Sequence, residues 1–243
     1  MWDEATAATY EDDSAEMFRD DVVQPAVDFL ANLAGQGPAL GFAVGTGRLA
    51  IPLLQRGVSV TGIDLSEAMV ARLREKVGAD ELPVVIGDMT TTTIPGEFSL
   101  VFLPWNSISN LKTQVEQVAC FCNAARHLAP GGCFVIELLV PPLRRLPPGQ
   151  VAVPFDISEG HVGFDTFDLV EQLCTSHHYT RDKDGSLRYG KGDFRYIWPA
   201  ECDLMAQLAG LELEDRFEDW KRAPFTSESE RHVSVWRKPP VDN

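Results

Sequence analysis

The 243-residue chain holds no apolar run near the roughly 18 residues of a membrane span. It has no CxxC pair, no internal repeat and no long linker. A membrane-spanning role and a zinc ribbon are therefore not indicated. The length suits one large domain, or a domain with a small appendage. Basic residues are scarce, 21 against 36 acids, for a formal net charge of −15. Such a surface repels phosphate backbones, which argues against nucleic acid as a partner and for simple solubility. The five cysteines, at 120, 122, 133, 174 and 202, are odd in number. Buried free thiols in a reducing compartment are expected, and no metal site is read. The opening "MWDEATAATYEDDSAEMFRDD" is acidic and lacks the apolar core of a secretory signal, so a cytoplasmic location is expected.

What is present is an alternation. "DDVVQPAVDFLANL" (20–33) has helical spacing. "ALGFAV" (39–44), "VSVTGIDL" (58–65), "LPVVIGD" (82–88), "FSLVFLPW" (98–105) and "CFVIELLV" (133–140) are short apolar runs of strand length. Helical segments lie between most of them: 47–57, 67–78 with Ser66 as its cap, and 113–130. Strands alternating with helices predict a parallel sheet covered on both faces. Beyond Pro141 the grammar changes. A proline-rich stretch precedes antiparallel strands around "DKDG", a helix at 199–210 and two closing strands.

Three features fall at the carboxyl ends of the parallel strands, where such sheets bind ligands. Gly45 and Gly47 in "VGTGR" let the backbone turn sharply and approach a ligand. Asp64 ends the second strand, where a carboxylate can accept hydrogen bonds from both ribose hydroxyls. Asp88 in "GDM" can accept from an adenine amino group, with Leu65, Met69 and Met89 as apolar surface for the ring. Each has a plainer alternative: a strand-to-helix turn, a helix-start acid, and a turn acid beside core methionines. Gly45-x-Gly47-x-x-Ala50 with Asp64 also matches a dinucleotide pattern.

Taken in order, "ALGFAVGTGRLAIPLLQRGVSVTGIDLSEAMV", "VVIGDM", "FSLVFLPWNSISNL" and "HLAPGGCFVIEL" resemble the class I S-adenosylmethionine (SAM)-dependent methyltransferases. The resemblance covers about residues 39–140. It implies an α/β fold with a Rossmann-like sheet of seven strands, the last inserted antiparallel, and added antiparallel strands roofing the acceptor site. Residues 1–34 would be a helical segment covering the cofactor, 35–141 the SAM-binding core, and 142–243 the roof and closing strands. It implies SAM as cofactor, with S-adenosylhomocysteine as product. The loop of Ala43, Gly45 and Gly47 would face the methionine part. Asp64 would hold the ribose, and Leu65, Met69, Asp88 and Met89 the adenine. Trp105 and Tyr10 would lie near the methionine moiety. The family loop usually begins with an acid, and this chain has Gly41 there. Losing that charge-assisted hydrogen bond costs about 1.5–3 kcal/mol if its partner stays buried. Gly41→Glu is therefore expected to tighten SAM binding.

Methyl transfer is an in-line displacement, which places the acceptor's lone pair about 3 Å from the methyl carbon. The segment after strand four, where related N-methyltransferases often carry a histidine, has Asn110, which orients but cannot act as a base. His177 and His178 on a roof strand are the next candidates, and adjacent strand residues point to opposite faces. His161 and Tyr179 are weaker ones. The resemblance implies O- or N-methylation of a small molecule of secondary metabolism, by a monomer or homodimer. Two alternatives stay open: a SAM-fold protein that binds without methyl transfer, and an NAD-dependent dehydrogenase.

Overall fold

The apolar runs pair as one seven-stranded sheet in the computed structural model, which describes residues 4–182 and 184–240. β1 (Ala39–Phe42) lies beside β2 (Val60–Asp64), which pairs with β3 (Val84–Ile86). On its other side β1 pairs with β4 (Phe98–Leu103), and β4 with β5 (Leu128–Leu139). All four pairings are parallel. β11 (Arg231–Arg237) inserts antiparallel between β5 and β10 (Glu212–Phe217). The strand order thus reverses between β1 and β4, the switch point beside which sheets of this kind bind ligands, in the crevice at the carboxyl ends of their strands.

Helices cover both faces. On one side α2 (Asp20–Ala34) and α3 (Ala50–Gln55) bury Leu30 and Leu53 against Phe102 and Val135. On the other, α5 (Gln114–His127) and α6 (Pro199–Leu208) bury Phe121 and Met205 against Phe134 and Trp236. Local signals set the helix starts. Thr113 accepts from the Glu116 N–H and the Glu116 carboxylate accepts from the Thr113 N–H, a reciprocal cap for α5. Ser66 accepts from the Met69 N–H and starts α4 (Glu67–Arg74). At the amino end, α1 (Glu4–Asp13) docks on α4: Lys76 pairs with Glu11, and Arg72 donates to the Ala8 carbonyl at 3.2 Å.

The region after Pro141 forms a second sheet of four antiparallel strands, β6 (Ala152–Ile157), β7 (His161–Asp168), β8 (Leu173–Arg181) and β9 (Leu187–Arg195). β8 and β9 join through the expected turn, where the Gly185 N–H donates to the Asp182 carbonyl; Lys183 lies outside the described residues. β6 and β7 carry no clear sequence signal. Pro154 sits in edge strand β6, beside a register shift between Pro154 and Asp156, and disturbs the alternation that would announce a strand. Phe167, Cys174 and Tyr196 root this sheet in a small apolar cluster with Leu143 and Leu146. All five cysteines are free thiols; four are buried and Cys122 is half-buried.

His232 in β11 is fully buried. Its Nδ1 meets the Ser234 hydroxyl at 2.7 Å, and its Nε2 has no partner among the described residues. Burial, aided by the Arg216 charge, pushes it from its ordinary 6.5 down to about 3. The unfolded chain therefore binds a proton there that the folded one refuses. This stability is complete above pH 6.5 and is lost as pH falls toward 3, by up to about 1.4 kcal/mol per pH unit. Urea denaturation of His232→Gln across pH 6 to 4 should show a slope shallower by about one proton. An unchanged slope would contradict this.

Candidate functional site

The loop after β1 is shaped by three left-handed residues: Ala43 at φ 50°, Gly45 at 57° and Gly47 at 91°. Ala43 carries the strain of a Cβ in that region, about 1 kcal/mol. The two glycines serve different ends. A Cβ on Gly45 would meet nothing within 4 Å, so this residue borders open space. A Cβ on Gly47 would fall 2.6 Å from Ile51, so this glycine lets the loop pack on the following helix.

Asp64 ties that loop to its neighbour. One carboxylate oxygen accepts from the Gly45 N–H at 2.6 Å and the other from the Ser66 N–H at 2.8 Å. The residue is 8% exposed. Burial raises its pKa, and the two backbone donors oppose the rise. Each oxygen keeps a lone pair for a further donor. Beside it stand apolar side chains open to solvent: Leu65, 74% exposed, and Ile86 of β3. Asp88 is exposed and accepts from the Thr90 N–H and hydroxyl, both at 2.7 Å. Met89 is half-buried, whereas Met69 is buried in α4.

The amino-terminal segment closes over the loop's other side. Tyr10 packs edge-on against Phe18. Burial raises its pKa; the Arg48 charge opposes this, and Glu11 and Asp64 add to it. Lys76 donates to the Thr46 carbonyl at 3.0 Å and so links α1, α4 and the loop. Arg48 lies over the Trp105 ring, 5.7 Å from its centroid. Trp105 and Asn106 follow β4 in left-handed conformations, φ 53° and 54°. Glu137 of β5 accepts from the Trp105 N–H at 3.0 Å and from the Trp220 indole N–H at 2.9 Å.

Arg48 and Glu137 escaped the sequence reading. Glu137 had a signal, as the one charge inside the apolar run "CFVIELLV". The meaning of Gly41 is corrected. A Cβ there would lie 2.6 Å from Val44 and 2.8 Å from the Phe102 ring. A Val44 methyl and the tip of the Phe102 ring crowd the place where an acid's side chain would begin.

On the second sheet, His177 and His178 have different surroundings. His177 stacks on Phe164 at 4.8 Å; its ring nitrogens lie 2.8 Å from the Tyr189 hydroxyl and 3.0 Å from the Thr166 hydroxyl. His178 joins a relay: its Nδ1 is 3.0 Å from His161 Nε2, and His161 Nδ1 is 2.6 Å from an Asp156 carboxylate oxygen. Burial lowers the His178 pKa, and the His161 charge lowers it further. Asn110 is exposed and donates to the Ser107 carbonyl at 3.0 Å. Arg195 is buried, paired with Glu201 at 2.8 Å and with Gln117, so it braces the sheet.

A glycine loop, an acid at the end of the adjacent strand and a reversed strand order are the features with which sheets of this kind bind nucleosides. Residues 39–132 match the family model described as a methyltransferase domain. The methyltransferase CcbJ from Streptomyces caelestis is 36% identical, superposes with a TM-score of 0.80, and aligns over 89% of each chain. The chain belongs to the SAM-dependent methyltransferases. The dehydrogenase alternative falls with that finding. This methyltransferase is also 34% identical to the putative methyltransferase YqeM of Bacillus subtilis over 111 residues, 44% of either chain. It thus spans under half the length of that relative. It is 23% identical to the cypemycin N-terminal methyltransferase of a Streptomyces species, over 88% of this chain and 90% of that one.

The packing at Gly41 reverses the expectation for its substitution. Gly41→Glu should destabilise the methyltransferase by about 1–3 kcal/mol through overpacking against Val44 and Phe102. Thermal unfolding with and without SAM checks this. A variant as stable as the parent that binds SAM more tightly would restore the earlier expectation.

Proposed function

We propose that this methyltransferase transfers a methyl group from SAM to a nitrogen or oxygen of a small molecule of secondary metabolism. Nitrogen is favoured by the likeness to the cypemycin N-terminal methyltransferase, which runs over most of both chains. The observation that carries the cofactor reading is the Asp64 carboxylate. It is fixed by the Gly45 and Ser66 N–H groups, with lone pairs to spare, beside open space over Gly45. Those features fit a nucleoside with a long substituent. Asp64 would hold the ribose hydroxyls. Asp88, Leu65 and Met89 would hold the adenine, with Met69 supporting them from the core. The backbone of Ala43, Gly45 and Gly47 would border the methionine arm, closed by Tyr10 and Trp105. When bound, SAM supplies a methyl group made electrophilic by the sulfonium.

The protein's part is positioning and proton removal. Asn110 would orient the acceptor. His178 is the stronger base candidate of the two histidines. Asp156 holds His161, and His161 holds His178, so the pair positions its ring. Its lowered pKa keeps it unprotonated, ready to accept a proton, through neutral pH. His177 is held between Phe164, Tyr189 and Thr166 and reads as structural.

Asp64→Ala should weaken SAM binding at least about tenfold, since two hydrogen bonds of about 1 kcal/mol each are lost. A dissociation constant near the parent's, measured by calorimetry, would sink the ribose assignment. Incubation with SAM and a panel of amines and alcohols should yield a methylated product and S-adenosylhomocysteine in equal amounts. Binding without product across the panel would favour the non-transfer alternative. His178→Ala should lose turnover while keeping SAM affinity, and His177→Ala should keep both. The parent's acid limb should lie lower than an ordinary histidine would place it, because burial and the His161 charge lower the His178 pKa. Full turnover in His178→Ala would remove it as the base.

A further inference from the structure

The acid missing from β1 has a neighbour of the same charge on β5. Phe102 pairs with Val135, so Glu137 projects from the same face of the sheet, two residues nearer the carboxyl edge. Its side chain reaches the end of β4, where it accepts the Trp105 N–H. The residue is 8% exposed, and its two protein donors leave lone pairs unspent.

Arg48 faces it from the loop after β1. The guanidinium has five N–H donors, yet its hydrogen bond among the described residues is one long contact, 3.4 Å to the Met17 carbonyl. Arg48 and Glu137 act on one another electrostatically but form no ion pair within 4.0 Å among the described residues. Burial lowers the Arg48 pKa; the Glu137 charge opposes this, as does Tyr10, which also feels the Asp64 charge. Two opposite charges, both withdrawn from water and held apart, suit a ligand that is itself a zwitterion.

We propose that Glu137 and Arg48 bracket the α-amino-acid head of SAM, Glu137 taking its ammonium and Arg48 its carboxylate. β5 then supplies the charge that β1 lacks. The proposal rests on the cofactor reading built on Asp64. Glu137 also pins the left-handed turn at Trp105 and Asn106. A purely structural role of that kind would affect every ligand of the crevice alike.

Four ligands separate the roles by calorimetry: SAM, S-adenosylhomocysteine, decarboxylated SAM, which keeps the amine alone, and methylthioadenosine, which has neither group. Glu137→Gln should weaken the first three about tenfold or more and leave methylthioadenosine within about twofold, as loss of one charge-assisted contact requires. Arg48→Gln should weaken SAM and S-adenosylhomocysteine but leave decarboxylated SAM near its parent value. Equal losses for all four ligands in Glu137→Gln would overturn the proposal in favour of the structural pin. Unchanged S-adenosylhomocysteine affinity in either variant would also overturn it. If Glu137→Gln does not fold, the Arg48→Gln pattern alone decides. Failure of the parent to bind any of the four would instead overturn the cofactor reading, and this proposal with it.

Discussion

The glycine-loop side of the crevice depends on one carboxylate. Asp64 joins the glycine loop after β1 to the cap of α4 through two backbone N–H groups. Without that bridge the loop would depend on the left-handed residues Ala43, Gly45 and Gly47 for its shape, one of them strained. Hydrogen bonds to an ionised acceptor are stronger than neutral ones, so the bridge offsets part of the cost of burying the charge. Lys76 and Glu11 then fasten the amino-terminal helix onto the same loop. The site is built outward from the end of β2.

A second carboxylate organises the opposite side. Glu137 holds the turn after β4 and the indole of Trp220 at once. Trp220 in turn packs edge-on against Phe29 of α2. The charged rim and the apolar layer beneath it are thus one assembly. Val44 and the ring of Phe102 crowd what would be a third acidic position, and the acids sit on the second and fifth strands and none on the first.

Much of the main sheet was legible because its strands are buried on both faces and read as unbroken apolar runs. The helices between them carry caps written in the sequence, as at Thr113 and Ser66. The second sheet was half legible. β8 and β9 flank a recognisable turn, whereas β6 and β7 are partly exposed and interrupted by Pro154. At the site, Asp64 and the glycines follow from local spacing. Phe102 beside Gly41, and Glu137 beside Trp105, follow from strand order, which brings together residues 61 and 32 positions apart. No spacing rule on a linear chain encodes that proximity. The relay of Asp156, His161 and His178 was hidden for the same reason, since it spans three strands.

The strand order also shapes how the molecule is made. β5 gains its outer neighbour from β11, across the whole second sheet and α6. While a nascent chain is being extended, the edge of "CFVIELL" is exposed as a row of unpaired backbone groups on an apolar strand, the kind of edge that recruits other chains. Arrival of the Arg231–Arg237 strand closes that edge and leaves the shorter, acid-rich β10 outside. The inserted antiparallel strand is thereby the guard against self-association.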